Sequence, residues 1–115
     1  MQYVLLIYQG TAWGALSDLS DDEKKALVAE YGEINQMPDV TTGLPLGLPE
    51  NATTVRVQNA NTLTSDGPYI GTEQAIAGWY VLEADDRDAA IELASRIPAA
   101  RRGGAIEVRP VETYW

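Results

Sequence analysis

Gln2-Tyr3-Val4-Leu5-Leu6-Ile7-Tyr8 is the stretch on which the fold reading turns. After Gln2 every residue is Tyr, Val, Leu or Ile, a short β-prone run that suits a central strand covered on at least one face. The run lacks a basic leader, is too short to span a bilayer, and passes directly into polar Gln9-Gly10-Thr11. A buried first strand and a cytoplasmic protein are therefore expected. Outward from it, Gly10 to Leu19 reads as a loop carrying Trp13, and Ser20-Asp21-Asp22-Glu23 supplies a capping box. The helix that follows runs to about Asn35, with Leu27, Val28, Tyr31 and Ile34 as one apolar stripe, and Pro38 ends it.

Between Asp39 and Glu50, Gly43, Pro45, Gly47 and Pro49 alternate with leucines, so a short or irregular edge strand is expected there. Thr53 to Gln58 alternates cleanly, Asn59-Ala60-Asn61 is rich in turn formers, and Thr62-Leu63-Thr64 follows, which predicts a hairpin before a loop over Ser65 to Thr72. Ala77 to Ala84 holds Trp79, Tyr80, Val81 and Leu82 and reads as a strand. Asp85-Asp86 caps a second helix to about Ile97, whose buried stripe is Ala89, Ala90, Leu93, Ala94 and Ile97. Pro98 and Gly103-Gly104 break the chain, Ala105 to Arg109 forms the last strand, and Val111 to Trp115 is a tail.

Strand, helix, strands with a hairpin, strand, helix, strand is the split β-α-β order of a ferredoxin-like α+β fold, with two helices on one face of an antiparallel sheet. The other face needs cover. At 115 residues the chain has the length of one domain spanning 1–115, and the available cover is a second copy. A homodimer with its sheets face to face and Trp and Tyr tails at the seam is expected.

Hydrophobic residues make up 45% and charged residues 22%, which excludes a disordered chain, and the formal charge of −9 disfavours nucleic acid and anionic membrane as partners. Arg96, Arg101, Arg102 and Arg109 lie close in sequence and read either as a local anion site or as solvated arginines near a helix end. With no cysteine and no histidine, thiolate nucleophiles, serine–histidine–aspartate triads and histidine-ligated haem or iron are excluded within the chain. Acid–base chemistry then falls to Asp, Glu, Tyr, Lys or water. No phosphate-cradling glycine loop, nucleotide fingerprint or metal spacing occurs, so neither a cofactor nor a metal is expected.

Asp66 is the leading candidate for a catalytic acid or base, because it follows a strand in a loop where a carboxylate can face the cleft. The same Asp-Gly-Pro sequence also reads as a plain turn, with Asp66 fixing the loop through local hydrogen bonds. Tyr69, Tyr8, Tyr31 and Trp13 join a polar handle to an apolar body and suit a pocket for a flat small molecule, as they equally suit core and interface packing. Arg101 and Arg56 can hold a carboxylate or enolate oxygen, or pair with surface acids. Glu107 and Arg109 share one strand face and are assigned to structure.

Asp66-Gly67-Pro68-Tyr69, taken with Tyr3 to Tyr8, Leu19-Ser20, Ala52 to Arg56, Gly78-Trp79-Tyr80, Arg96 to Arg101 and Ile106 to Val111, resembles the YCII-related family and within it the DGPF subgroup. That resemblance implies a dimeric α+β barrel. Tyr69 stands where Phe is usual, Gly71 where Glu is usual and Glu73 where Lys is usual, and Met37 to Pro49 is shorter than typical. The histidine–aspartate pair thought to act in other YCII-related proteins has no counterpart here. Related barrels include isomerases, cofactor-independent oxygenases and dehydrochlorinase-like proteins. The resemblance thus implies a cofactor-free enzyme moving a proton on a small organic molecule, an isomerase, cyclase or lyase with Asp66 as base. The alternative is a noncatalytic small-ligand-binding or regulatory homodimer.

Overall fold

A computed structural model describes residues 1–11 and 16–114. Strand β1 (Gln2–Tyr8) lies inside a four-stranded antiparallel sheet, flanked by β5 (Ile76–Glu83) and β6 (Ala105–Pro110), with the short edge strand β2 (Val40–Thr42) beyond β5. Two helices, α1 (Asp21–Asn35) and α2 (Arg87–Arg96), complete the ferredoxin-like α+β fold. Leu5 faces Tyr80 on one neighbour and Val108 on the other, and Tyr3 faces Leu82 and Pro110. Because side chains alternate along a strand, Tyr3, Leu5, Ile7, Tyr80 and Leu82 all point to one side. There they form the core with Ile34 of α1, with Ala90 and Leu93 of α2, and with Ile97.

Both helices begin where their caps require. Ser20 Oγ accepts from the Glu23 backbone N–H at 3.1 Å while the Ser20 N–H donates to Glu23 Oε1 at 3.2 Å. That backbone hydrogen bond holds the Glu23 carboxyl below its ordinary range. Asp86 Oδ1 accepts from the Ala89 N–H at 2.9 Å at the start of α2. Two expected stripe positions turn outward. Val28 is 71% exposed and Ala89 is exposed, because each helix touches the sheet along a band narrower than its apolar composition. Val28 sits about 120° around α1 from Ile34.

The hairpin forms, but not within the main sheet. Strands β3 (Thr53–Gln58) and β4 (Asn61–Asp66) pair only with each other, from Thr53 opposite Asp66 to Gln58 opposite Asn61. Asn59 and Ala60 both have positive φ, 49° and 64°, the two-residue turn whose twist matches a hairpin. Strand β4 runs further than Thr62 to Thr64, so Ser65 and Asp66 belong to a strand and not to the loop. Every residue of β4 and all of β3 except Thr54 are exposed. The hairpin is thus an arm inserted between the edge strand and β5. Its projection gives a radius of gyration of 16.1 Å, against about 13 Å for a compact chain of this length.

Among the described residues, no helix is long and apolar enough to cross a membrane.

Candidate functional site

Helix α1 presents Tyr31 and, one turn on, Asn35 toward the β5 edge of the sheet, since residues four apart share a helix face. They line a cavity of about 490 Å³ together with Gln9 beyond β1, Trp79 and Tyr80 on β5, and the chain from Thr42 to Pro45. After β2 that chain continues beside β5, its Gly43 N–H donating to Trp79 O at 2.9 Å and its Leu46 N–H to Ala77 O at 3.0 Å. Gly43 is required in this position, because a Cβ there would sit 2.3 Å from the Trp79 indole.

The cavity lining carries hydroxyls and amides but no charged side chain. Tyr80 Oη donates to Asn35 Oδ1 at 2.8 Å, which leaves the Asn35 amide N–H group as a donor. Burial pushes the Tyr80 phenol up to about 12, with the neighbouring Tyr31 adding to the shift. Tyr31 is likewise raised by burial, opposed by hydrogen bonding from Gln9 and the Ala99 backbone and by the Arg102 and Arg101 charges. Both phenols are therefore neutral hydrogen-bonding groups at ordinary pH. Gln9 Oε1 is buried and has no hydrogen-bond partner among the described residues. An unpaired buried acceptor costs free energy and is stabilised by any donor that reaches it.

The raised Tyr80 group links ionisation to stability. An unfolded tyrosine loses its proton near pH ~10, whereas folded Tyr80 holds it to about 12, so its contribution is complete below pH ~10 and is lost as pH rises between these values. Ultraviolet difference titration is expected to show a late tyrosine step near pH 12. Tyr80→Phe should delete that last step; a profile unchanged by the substitution would assign the late step elsewhere.

The sequence candidates do not converge on one cavity. Tyr31 lines the cavity just described. Tyr8 alternates with Ile7 and lies on the opposite sheet face, half-buried. Tyr69 is 74% exposed, lies 5.9 Å from the Arg56 guanidinium carbon and lines a second, mainly apolar hollow at the base of the arm with Leu46, Leu48, Pro68 and Ile70. Asp66 is exposed at the end of β4, next to Gly67, whose N–H donates to Ala52 O at 2.7 Å and whose carbonyl accepts from Thr54 Oγ1 at 2.8 Å. Arg101 is ion-paired with Glu30. Trp13 lies outside the described residues. Gln9, Asn35 and Tyr80 were not among the sequence candidates. The four-residue spacing of Tyr31 and Asn35 was the signal available for one of them.

A split β-α-β sheet with a hairpin inserted before its third core strand, and a neutral tyrosine-lined cavity beside α1, defines a small α+β protein with room for a small molecule. The chain belongs to the YCII-related family, whose domain matches residues 1–114. It is 26% identical over 120 residues to the uncharacterized protein R00369 of Rhizobium meliloti (strain 1021), an alignment covering 99% of this chain and 94% of that protein.

Proposed function

We propose that this YCII-related protein is a homodimer that binds a small, uncharged organic molecule in the cavity between α1 and β5. The cavity of about 490 Å³ with two neutral phenols carries this reading, since its size is that of a small-molecule site. Charge supports it as well. No lining residue offsets an anion, and a chain of net charge −9 repels one on approach. The Tyr31 phenol and the Asn35 amide N–H group favour a ligand carrying a hydrogen-bond acceptor, with the tyrosine rings as apolar walls.

Calorimetric titration with phenol and benzamide against benzoate checks this directly. The neutral pair should bind more tightly, and Tyr31→Phe should weaken them about tenfold through loss of one hydrogen bond. Preferential binding of benzoate would overturn the uncharged class, and no binding of any of the three would overturn the site.

A second reading, cofactor-free proton transfer with Asp66 as base, is favoured by where Asp66 stands: on an exposed arm, free to meet a second copy. In it Asp66 takes a proton from a small molecule and a phenol or Arg101 steadies the developing oxyanion. For any molecule found to be turned over, Asp66→Asn should then lower turnover at least about a hundredfold. Unchanged turnover would remove Asp66 from that role.

A further inference from the structure

Asn35 at the cavity is oriented by a residue behind it. Tyr80 belongs to the core, only 5% exposed, and donates its Oη–H to Asn35 Oδ1 at 2.8 Å. That bond settles which way the Asn35 amide turns. An amide whose oxygen is held by a buried phenol presents its nitrogen on the other side, with two N–H groups to donate. Asn35 itself is exposed, so nothing in the packing of the core requires an amide there.

A second donor lies one turn back on α1. Burial raises the Tyr31 phenol, whereas hydrogen bonds from the Gln9 side chain and the Ala99 backbone lower it, as bonds donated to the phenol oxygen do. With its oxygen receiving, the Tyr31 proton is what remains to donate. Burial raises Tyr80 and the neighbouring Tyr31 phenol adds to that shift, so the two hydroxyls stand close together. Tyr31 and Asn35 share one helix face and both line the cavity. Their donors therefore meet at one end of it, where Asn35 Oδ1 is already taken by Tyr80 and the Tyr31 oxygen by Gln9 and Ala99.

We propose that the Asn35 amide N–H and the Tyr31 hydroxyl form a donor pair for one carbonyl oxygen, so that the ligand is a small neutral ketone, ester or amide, with Tyr80 as the positioning residue that aims Asn35. A carbonyl oxygen offers two lone pairs close to one plane, which matches two donors. An alcohol of the same size brings a proton for which the pair has no free acceptor, and a polar group left unpaired on binding costs affinity. A carboxylate accepts from both donors, but no charged side chain among the described residues lining the cavity offsets its charge. This inference rests on the small-molecule reading above and specifies which group of the ligand is recognised and by which atoms.

Calorimetric titration of the full chain with acetophenone and with α-methylbenzyl alcohol, the same carbon frame with the carbonyl reduced, tests the class. Acetophenone should bind about tenfold more tightly, the worth of one hydrogen bond. Infrared difference spectra of acetophenone isotope-labelled at the carbonyl read the donor pair itself. The bound carbonyl should vibrate at a lower frequency than in hexane, and part of that shift should be lost in Tyr31→Phe and part in Asn35→Ala, an exposed position where the change leaves the fold intact. Tyr80→Phe, which keeps the ring and removes the bond to Asn35, should lose as much of the shift as Asn35→Ala, and the two substitutions together should lose no more. Equal or tighter binding of the alcohol overturns the carbonyl class, a bound carbonyl that vibrates as in hexane overturns the donor pair, and an undiminished shift in Tyr80→Phe overturns the positioning role. Binding of phenol without acetophenone overturns the inference and leaves the cavity reading standing; binding of neither overturns both.

Discussion

Leu5→Ala is expected to destabilise the protein by about 3–4 kcal/mol, the range for removing a large aliphatic side chain from a site that cannot collapse. Leu5 is fully buried on the central strand β1, between Tyr80 and Val108 on the flanking strands, within the cluster that holds Ile34, Ala90, Leu93 and Ile97. Both helices and three strands meet around it, so no single element can move in to fill the space. For a chain of this length the loss corresponds to a fall of roughly 12–16 °C in melting temperature. Val28→Ala, on the exposed side of α1, should change stability by no more than about 0.5 kcal/mol. Thermal denaturation of the two variants beside the native protein makes the comparison, and equal effects would mean that the core lies elsewhere. Affinity for the small molecule proposed above should fall with Leu5→Ala too. Tyr80 is the direct cross-strand neighbour of Leu5, and a loosened core frees the Tyr80 phenol from the Asn35 amide that holds it at the cavity wall.

That the same residues serve core and cavity explains which features could be read from the chain. Gln2 to Tyr8 announces a central strand because the burial of one face and the half-burial of the other both select apolar residues. Ser20, Glu23 and Asp86 announce helix starts because capping is a local interaction, complete within four residues. The order of elements then fixes the sheet. The hairpin was legible as a hairpin, since Asn59-Ala60 must supply two positive φ angles, but its detachment from the sheet was not. Thr53 to Gln58 alternates whether its apolar side meets its own core or another chain. The edge strand Val40–Thr42 was correspondingly legible only as an irregular segment, because three residues beside prolines and glycines leave no period to detect. The cavity was hardest to read. Tyr31 was found from its own chemistry, whereas Gln9, Asn35 and Tyr80 become a site only through contacts across the fold, between residues as far apart as 35 and 80.

Gly104→Ala should cost at least about 3 kcal/mol, although it adds a single methyl group. At this position the chain entering β6 crosses the chain leaving β1 with backbone against backbone. A Cβ on Gly104 would stand 2.0 Å from the Tyr8 carbonyl oxygen and 2.9 Å from those of Gln9 and Ala99. The opposing strand is equally constrained. Gly10 has φ +56°, and a Cβ on it would meet the Gly103 carbonyl oxygen at 2.2 Å. No side chain can swing aside to relieve such a contact, so β1 and β6 must separate near Tyr8 and Ala105, which face each other in the sheet. Gly32→Ala provides the opposite expectation. Nothing lies within 4 Å of the added Cβ, the site is inside α1, and exchanging glycine for alanine in a helix should stabilise by about 1 kcal/mol. Chemical denaturation of the two alanine variants should therefore give shifts of opposite sign. A Gly104→Ala protein as stable as the native one would show that the two segments do not cross in contact. The crossing bears on the proposed site through Gln9, which follows Tyr8 directly, lines the cavity and carries a buried, unpaired amide oxygen. A displaced β1 end carries that acceptor with it. Affinity for the proposed ligand should consequently fall in Gly104→Ala even under conditions where the variant is fully folded, and should be unaffected in Gly32→Ala.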